Sequence, residues 1–281
     1  MNRRLKVIPF KIIISNTFKK TAFAIILTTP LLIVAVGALW HGNIQVSSYQ
    51  IAIPKKSSDL NHLKIAFAAD LHLKGISDKV IVDKFVEKIN SLNPDIVLLV
   101  GDIIEGDRQD AEMTVLEQTL RKINSKYGVY AAFGNHELHG GVSPLNFFNN
   151  ASIKVLQDSF IQMDKSFYLI GRNDFRSITR KTMEELFNGT QNNLPIIMLD
   201  HRPSDFANVN KANVDIQVSG HTHNGQLFPI NYITSSLYDL SWGYKKINAT
   251  HFFVTSGLQA WGPAVKTTGT SEIMVIDVDF I

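Results

Sequence analysis

The chain has 281 residues, with 28 Lys and Arg against 25 Asp and Glu, nine His and no Cys. Charged residues make up 19%, and 17 Phe, seven Tyr and three Trp supply material for a packed core, so disordered, collagen-like and low-complexity classes are excluded. The absence of Cys removes disulfide frameworks, thiolate zinc sites, iron–sulfur clusters and cysteine nucleophiles, leaving His, Asp, Glu or Asn to hold any metal.

The net charge of +3 averages two unlike parts. Residues 1–58 hold eight basic residues (Arg3, Arg4, Lys6, Lys11, Lys19, Lys20, Lys55, Lys56) and no acidic one; taking these eight from 28 leaves 20 basic against 25 acidic residues beyond position 58. The body of the chain is therefore acidic, which counts against a nucleic acid, or a nuclease function, because phosphate neutralisation supplies most of such affinity.

Residues 1–20 read as a basic cytoplasmic N-terminus, and Thr21 to Trp40 as a 20-residue apolar run able to cross the hydrocarbon core. Six basic residues precede the run and none follows before Lys55, so the positive-inside rule places residues 41–281 on the far side. A cleaved secretory signal would have shorter basic and apolar parts. A twin-arginine signal at Arg3-Arg4 would lie closer to the apolar run. A buried soluble helix fits neither the length nor the asymmetric flanks. Val7 to Phe18, interrupted by Pro9 and Lys11, is expected along the inner membrane surface. Residues 41–61, polar from Ser47 with Pro54, two lysines and a Ser pair, read as a linker, and 62–281 as the folded domain.

Within that domain, 63–69 (LKIAFAA) reads as a buried strand. Ser77 is the expected N-cap of a helix that puts Val80, Val82, Phe85, Val86 and Ile89 on one face. A strand at 95–100, a helix from about 110 to 124 and a strand at 128–133 follow, the spacing of βαβ units. Further strands are expected at 167–171, 194–199, 214–218, 226–228, 251–255 and 272–278, with one helix near 179–188. A layered α/β domain with two sheets and outer helices fits these elements.

Polar residues able to bind metal sit where the apolar runs end: Asp70-x-His72, Gly101-Asp102, Gly134-Asn135-His136-Glu137, His201, and Gly220-His221-x-His223. Ligands in open α/β sheets gather outside the carboxyl ends of strands, and an i, i+2 pair in extended backbone faces one side. Singly, each reads as turn or cap chemistry as readily as a ligand. Together, in this order, they make the chain resemble the calcineurin-like metallophosphoesterases over about residues 63–279. The SGHTHNGQ context and the N-terminal anchor resemble that family's small membrane-associated bacterial branch, with Asn224 standing where Gly is more often found.

The resemblance implies a four-layered α/β/β/α sandwich and two divalent metal ions, drawn from Mn, Fe, Zn or Co. One ion would be held by Asp70, His72, Asp102 and His223, the other by Asp102, Asn135, His201 and His221, with Asp102 bridging. His136 would act as the acid or stabilise the transition state, and Glu137 would orient ligands. The implied activity is a phosphodiesterase or pyrophosphatase attacking a membrane or envelope phosphate ester, lipid-linked substrates included, with a metal-bridged hydroxide, outside a bacterial inner or plasma membrane. Its rivals are a cytoplasm-facing hydrolase of a nucleotide-diphosphate lipid precursor and a non-catalytic metal-binding envelope protein. His41, His62 and His251 are expected to be structural or superficial, and His139 to line the entrance. Tyr238, Trp242, Tyr244, Phe252, Phe253 and Trp261 are either core or a rim meeting lipid or a base.

Overall fold

A computed structural model describes residues 15–54, 56, 58–106, 110–138, 144–190 and 193–281. Arg3, Arg4, the stretch from Val7 to Ile14 and His139 lie outside the described residues. The first half runs α1 (Asn16–His41), β1 (Ile44–Ile53), β2 (His62–Ala68), α2 (Lys79–Ser91), β3 (Ile96–Val100), α3 (Ala111–Leu120), β4 (Val129–Ala132), α4 (Leu145–Asn150) and β5 (Ile153–Val155). The second runs β6 (Ser159–Met163), β7 (Phe167–Arg172), α5 (Met183–Leu186), β8 (Ile196–Asp200), α6 (Phe206–Lys211), β9 (Ile216–Ser219), α7 (Ile230–Leu237), β10 (Gly243–Ile247), β11 (Thr250–Val254) and β12 (Ser271–Phe280).

Two six-stranded sheets result, ordered β1-β12-β2-β3-β4-β5 and β10-β11-β9-β8-β7-β6. The strands that precede the chemistry are parallel: β2, β3 and β4 in one sheet, and β7, β8, β9 and β11 in the other. Buried strands with apolar residues on both faces are what such a layered arrangement requires. In β2 and just after it, Leu63, Ile65, Phe67 and Ala69 face the core between the sheets, while Ala66 and Ala68 face the core under α2 and α3. β3 divides likewise, Ile96, Leu98 and Val100 against Val97 and Leu99. A third core, with Phe206 and Val209 of α6, covers the outer face of the second sheet. The architecture is thus the α/β/β/α sandwich, preceded by one apolar helix.

α1 is 26 residues long with a mean hydropathy of 2.4 over its most apolar window, long and apolar enough to cross a membrane. Ser15 Oγ accepts from Phe18 N at 3.1 Å and caps it. Gly37 is the one described residue of α1 that is buried: its O accepts from Lys266 N at 3.0 Å, and an added Cβ would lie 2.5 Å from Val265 Cγ1.

Several local expectations are corrected. The stretch read as a linker contains β1, which pairs in parallel with all of β12. Ile44 and Val46 face the core under the helices and Tyr49, Ile51 and Ile53 the core between the sheets, the apolar side changing across Ser47-Ser48. Ser77 does not cap α2; it lies in a 3-10 turn, Ile76–Asp78, and Asp78 Oδ2 accepts from Lys74 N and Gly75 N. Val82, Phe85, Val86 and Ile89 are buried as expected, but Val80 is exposed. Residues 226–228 are turn and bend, not strand, and the helix near 179–188 shrinks to α5, opened by a Thr182–Glu185 capping box.

Candidate metal centre

Five of the parallel strands, β2, β3, β4, β8 and β9, end at one rim, and each delivers one or two polar residues there. Asp70 and His72 follow β2, Asp102 follows β3, Asn135 and His136 follow β4, His201 follows β8, and His221 and His223 follow β9. Backbone bonds lock these loops together: His72 N donates to Asp102 O at 2.9 Å, His136 N to Asp102 Oδ1 at 2.8 Å, and His221 N to Asp70 Oδ2 at 3.0 Å. The i, i+2 pairs do not converge through extended backbone. Asp70, His72, His221 and His223 have φ of 56°, 44°, 72° and 50°, and Asp102 has 53°. Non-glycine residues in this left-handed region mark a site whose backbone is held by its surroundings. Gly134 and Gly220 are needed for contact: a Cβ on Gly134 would overlap Asp102, and one on Gly220 would overlap Asp70.

Three groups of donor atoms form, each with its members within 4.8 Å of one another: Asp70, His72 and His223; His72, Asp102 and His136; Asp102, His201 and His221. Nε2 of His72 and Nε2 of His223 face each other at 3.1 Å, and lie 3.9 and 3.3 Å from Asp70 Oδ1. His201 Nε2 is 3.1 Å from Asp102 Oδ2, buried and without a hydrogen-bond partner. Lone pairs converging in this way, rather than donors meeting acceptors, suit cations, and imidazole with carboxylate and no sulfur is the donor chemistry of Mn, Fe, Zn or Co. Asp102 belongs to two of the groups, the position a bridging ligand needs. Asn135 Oδ1 accepts from Arg202 Nη2 at 3.1 Å and retains a second lone pair.

The imidazoles are oriented from behind. His201 Nδ1 donates to Val100 O at 2.8 Å. Glu105 takes two rings at once, with Oε1 accepting from His72 Nδ1 at 2.8 Å and Oε2 from His136 Nδ1 at 2.7 Å. Such partners fix the tautomer, leaving Nε2 as the ligating nitrogen. Glu137 accepts four backbone N–H groups, from Gly134, Asp102, Ile103 and Ile104, and so ties the β4 loop to the β3 loop. Burial alone would raise Asp70 and Asp102, yet His223 beside the first and His201 beside the second hold both carboxyls below their usual range. The His72 hydrogen bond, with His136 adding to it, brings Glu105 down to about 2, and burial pushes His221 down to about 3. Against their burial, in contrast, Asp102 raises His201 to about 10 and the Glu105 hydrogen bond raises His72, so a metal binding there would displace protons from these two rings.

All eight residues expected from the sequence meet at this rim. Glu105, three positions after Asp102, and Arg202, directly after His201, also belong to the site; neither is part of a recognisable spacing, and only their closeness to motif residues signalled them. Asn224 adopts the left-handed conformation Gly would, with φ 48°, and its Nδ2 donates to Thr268 O at 2.8 Å. His62 is superficial beside Asp279, and His251 is buried against Tyr244. The aromatic group divides: Phe252 and Phe253 are core, Tyr244 stacks on Phe253, and Trp242 donates to Glu272. Trp261 alone of them lines the cavity at the site. That cavity has a volume of about 560 Å³, and polar Asp102, Asn135, His136, Arg176 and His221 line it together with apolar Leu227, Ile230, Trp261 and Pro263.

With that fold and donor set, the chain belongs to the calcineurin-like phosphoesterase family, whose model matches residues 63–225. An uncharacterized metallophosphoesterase of Campylobacter jejuni is 30% identical over 250 residues, 83% of this chain and 63% of that protein. A transmembrane protein with metallophosphoesterase domain from Danio rerio is 26% identical, over 92% of this chain and 62% of its own length. The UDP-2,3-diacylglucosamine pyrophosphatase LpxG of Chlamydia trachomatis is 23% identical, over 72% of this chain and 77% of that protein. The chain thus spans about six tenths of the length of the first two.

Proposed function

We propose that the chain is a metal-dependent phosphoric ester hydrolase, acting on diesters or pyrophosphates and tethered to a membrane by α1. The observation that carries this reading is the shared position of Asp102 between the groups containing His72 and His201. Asp70, His72, Asp102 and His223 would hold one divalent ion and Asp102, Asn135, His201 and His221 the other. Such a pair supplies charge that draws in a phosphoryl oxygen and acidifies water. His136, lining the cavity with Nδ1 fixed by Glu105, would pass a proton through Nε2 to the leaving oxygen. Arg202, paired through Nε with Asp174 at 2.7 Å, would hold Asn135 in place through Nη2, while Arg176 lines the cavity. The basic flank of α1 supports a cytoplasmic N-terminus and a domain outside the cytoplasm of a bacterium. The likeness to a pyrophosphatase acting on a diacylated nucleotide sugar supports the diester or pyrophosphate class.

The test is hydrolysis of bis-p-nitrophenyl phosphate by the full chain in detergent, with Mn²⁺, Fe²⁺, Zn²⁺ or Co²⁺ added in turn. Turnover that needs a metal, and falls roughly 10³-fold in Asp102→Ala, is the expected result. Activity indifferent to metal or to that substitution refutes the reading. A fluorescent reporter fused after Ile281 that matures in one compartment only decides the orientation.

A further inference from the structure

α7 presents a face that the fold leaves unexplained. None of its residues is buried, and Tyr232, Ile233 and Leu237 are 65%, 58% and 72% exposed. Phe228 just before it is 64% exposed, and Trp261 beside it 62%. No Asp, Glu, Lys or Arg occurs between Asp215 and Asp239, nor between Lys246 and Lys266. A patch this apolar and this free of charge on one side of a domain is an interaction surface.

Its connection to α1 says what covers it. Gly37, four residues from the end of α1, packs against Val265 and Thr267, and Lys266 N bonds its carbonyl. Four residues of helix are about 6 Å, so the 265–267 segment touches α1 inside its apolar run. Thr267 N donates to Gln226 O at 2.8 Å, and Phe228 N donates to Thr267 Oγ1 at 2.8 Å. Gln226 also exchanges two hydrogen bonds with the Trp261 backbone, both 2.8 Å. Phe228, Trp261 and the start of α7 are therefore bonded, through one short segment, to the membrane-level turn of α1. Only Gly42 and Asn43 separate α1 from β1, which leaves no slack for the domain to stand away from the bilayer.

We propose that α7, with Phe228 and Trp261, is a second membrane contact lying in the headgroup layer, and that the site opens there to phosphate esters borne on a lipid. This rests on the hydrolase reading and on α1 crossing the membrane. Ile230 and Trp261, exposed on this surface, also line the cavity that holds Asp102 and His221, together with Leu227 and Pro263, so a lipid's apolar part would lie against them while its phosphate meets the metal centre. The patch lacks Lys and Arg, so the contact is hydrophobic and does not depend on anionic lipid.

The chain has no Cys, so single cysteines can report depth. The full chain carrying Ile233→Cys, Leu237→Cys, Phe23→Cys or Ala249→Cys is labelled with a polarity-sensitive fluorophore and placed in phosphatidylcholine nanodiscs containing nitroxide lipids. Ala249 lies in the β10–β11 turn, at the far end of the sheet from the site. Labels at 233 and 237 are expected to shift to the blue and be quenched nearly as strongly as at 23, while 249 behaves as in water. Quenching at 233 and 237 no greater than at 249 overturns the contact; loss of quenching at 23 as well overturns instead the reading of α1. In unlabelled nanodiscs, a lipid phosphodiester is expected to be hydrolysed with kcat/KM at least about tenfold above its short-chain soluble homologue. Equal values overturn the lipid-borne substrate, and no hydrolysis of either, or of the chromogenic diester, overturns the hydrolase reading.

Discussion

Replacing Glu105 by Gln keeps the shape of the side chain and removes one thing the site depends on. The carboxylate presents an acceptor to each of two imidazoles, His72 Nδ1 at 2.8 Å and His136 Nδ1 at 2.7 Å. An amide offers one oxygen and one NH2 group. Whichever ring faces the NH2 must take its proton on Nε2, and for His72 that is the nitrogen pointing at Asp70 and His223. Either the lone pair aimed at the metal is lost, or His136 is held in the wrong tautomer with no charge to support its cationic form. Losses of this kind cost 10- to 100-fold in metal affinity or activity, about 1.4 to 2.7 kcal/mol. Metal content by mass spectrometry after dialysis, with kcat/KM on the chromogenic diester, measures both. If Glu105→Gln binds metal and turns over within twofold of the parent, Glu105 does not orient these rings.

Three further outcomes are expected. Gly37→Leu should push α1 off Val265 and Thr267 and expose the Lys266 amide, raising its hydrogen-exchange rate roughly fivefold for a bond worth about 1 kcal/mol; an unchanged rate would show that α1 does not dock there. Lys266, buried with Nζ bonded to the carbonyls of Ser256 and Gly257, is pushed down by burial to about 8. Between pH 8 and 10.5 the unfolded chain holds that proton and the folded one does not, so stability relative to Lys266→Met should rise with pH by up to about 3 kcal/mol; a flat difference in detergent melts would refute it. Chelation should abolish activity and lower Tm, by about 5 to 10 °C if the metal had been present at 100 times its Kd, restored by adding the metal back.

The strands carrying the site were legible because each is a short apolar run stopped by a polar residue, a pattern that survives without tertiary context. β2, β3 and β4 fall within a residue or two of expectation, and the ligand motifs sit at their ends. β1 was not legible, because its apolar side changes face across Ser47-Ser48, and its partner β12 lies more than 200 residues away. α7 was hidden for another reason: Ile230, Ile233 and Leu237 recur at helical spacing, but over only eight residues and with no buried face, too short a run to stand out from a loop. The convergence of Asp70 with His72 was anticipated on the wrong grounds, since extended backbone was assumed where left-handed conformations do the work. Glu105 was invisible because its role depends on two rings brought together from different strands.

The proposed metal ligands come from both sheets: Asp70 and Asp102 follow strands of one, His201, His221 and His223 strands of the other. Each group of donors that includes His201 or His223 draws on both sheets, so the centre exists only once the inter-sheet core has closed. A chain threaded unfolded through a translocon would arrive without its ions. It would then load from the pool on the side where it folds, and the supply of cations in that compartment, as much as ligand chemistry, would decide which metal the site carries.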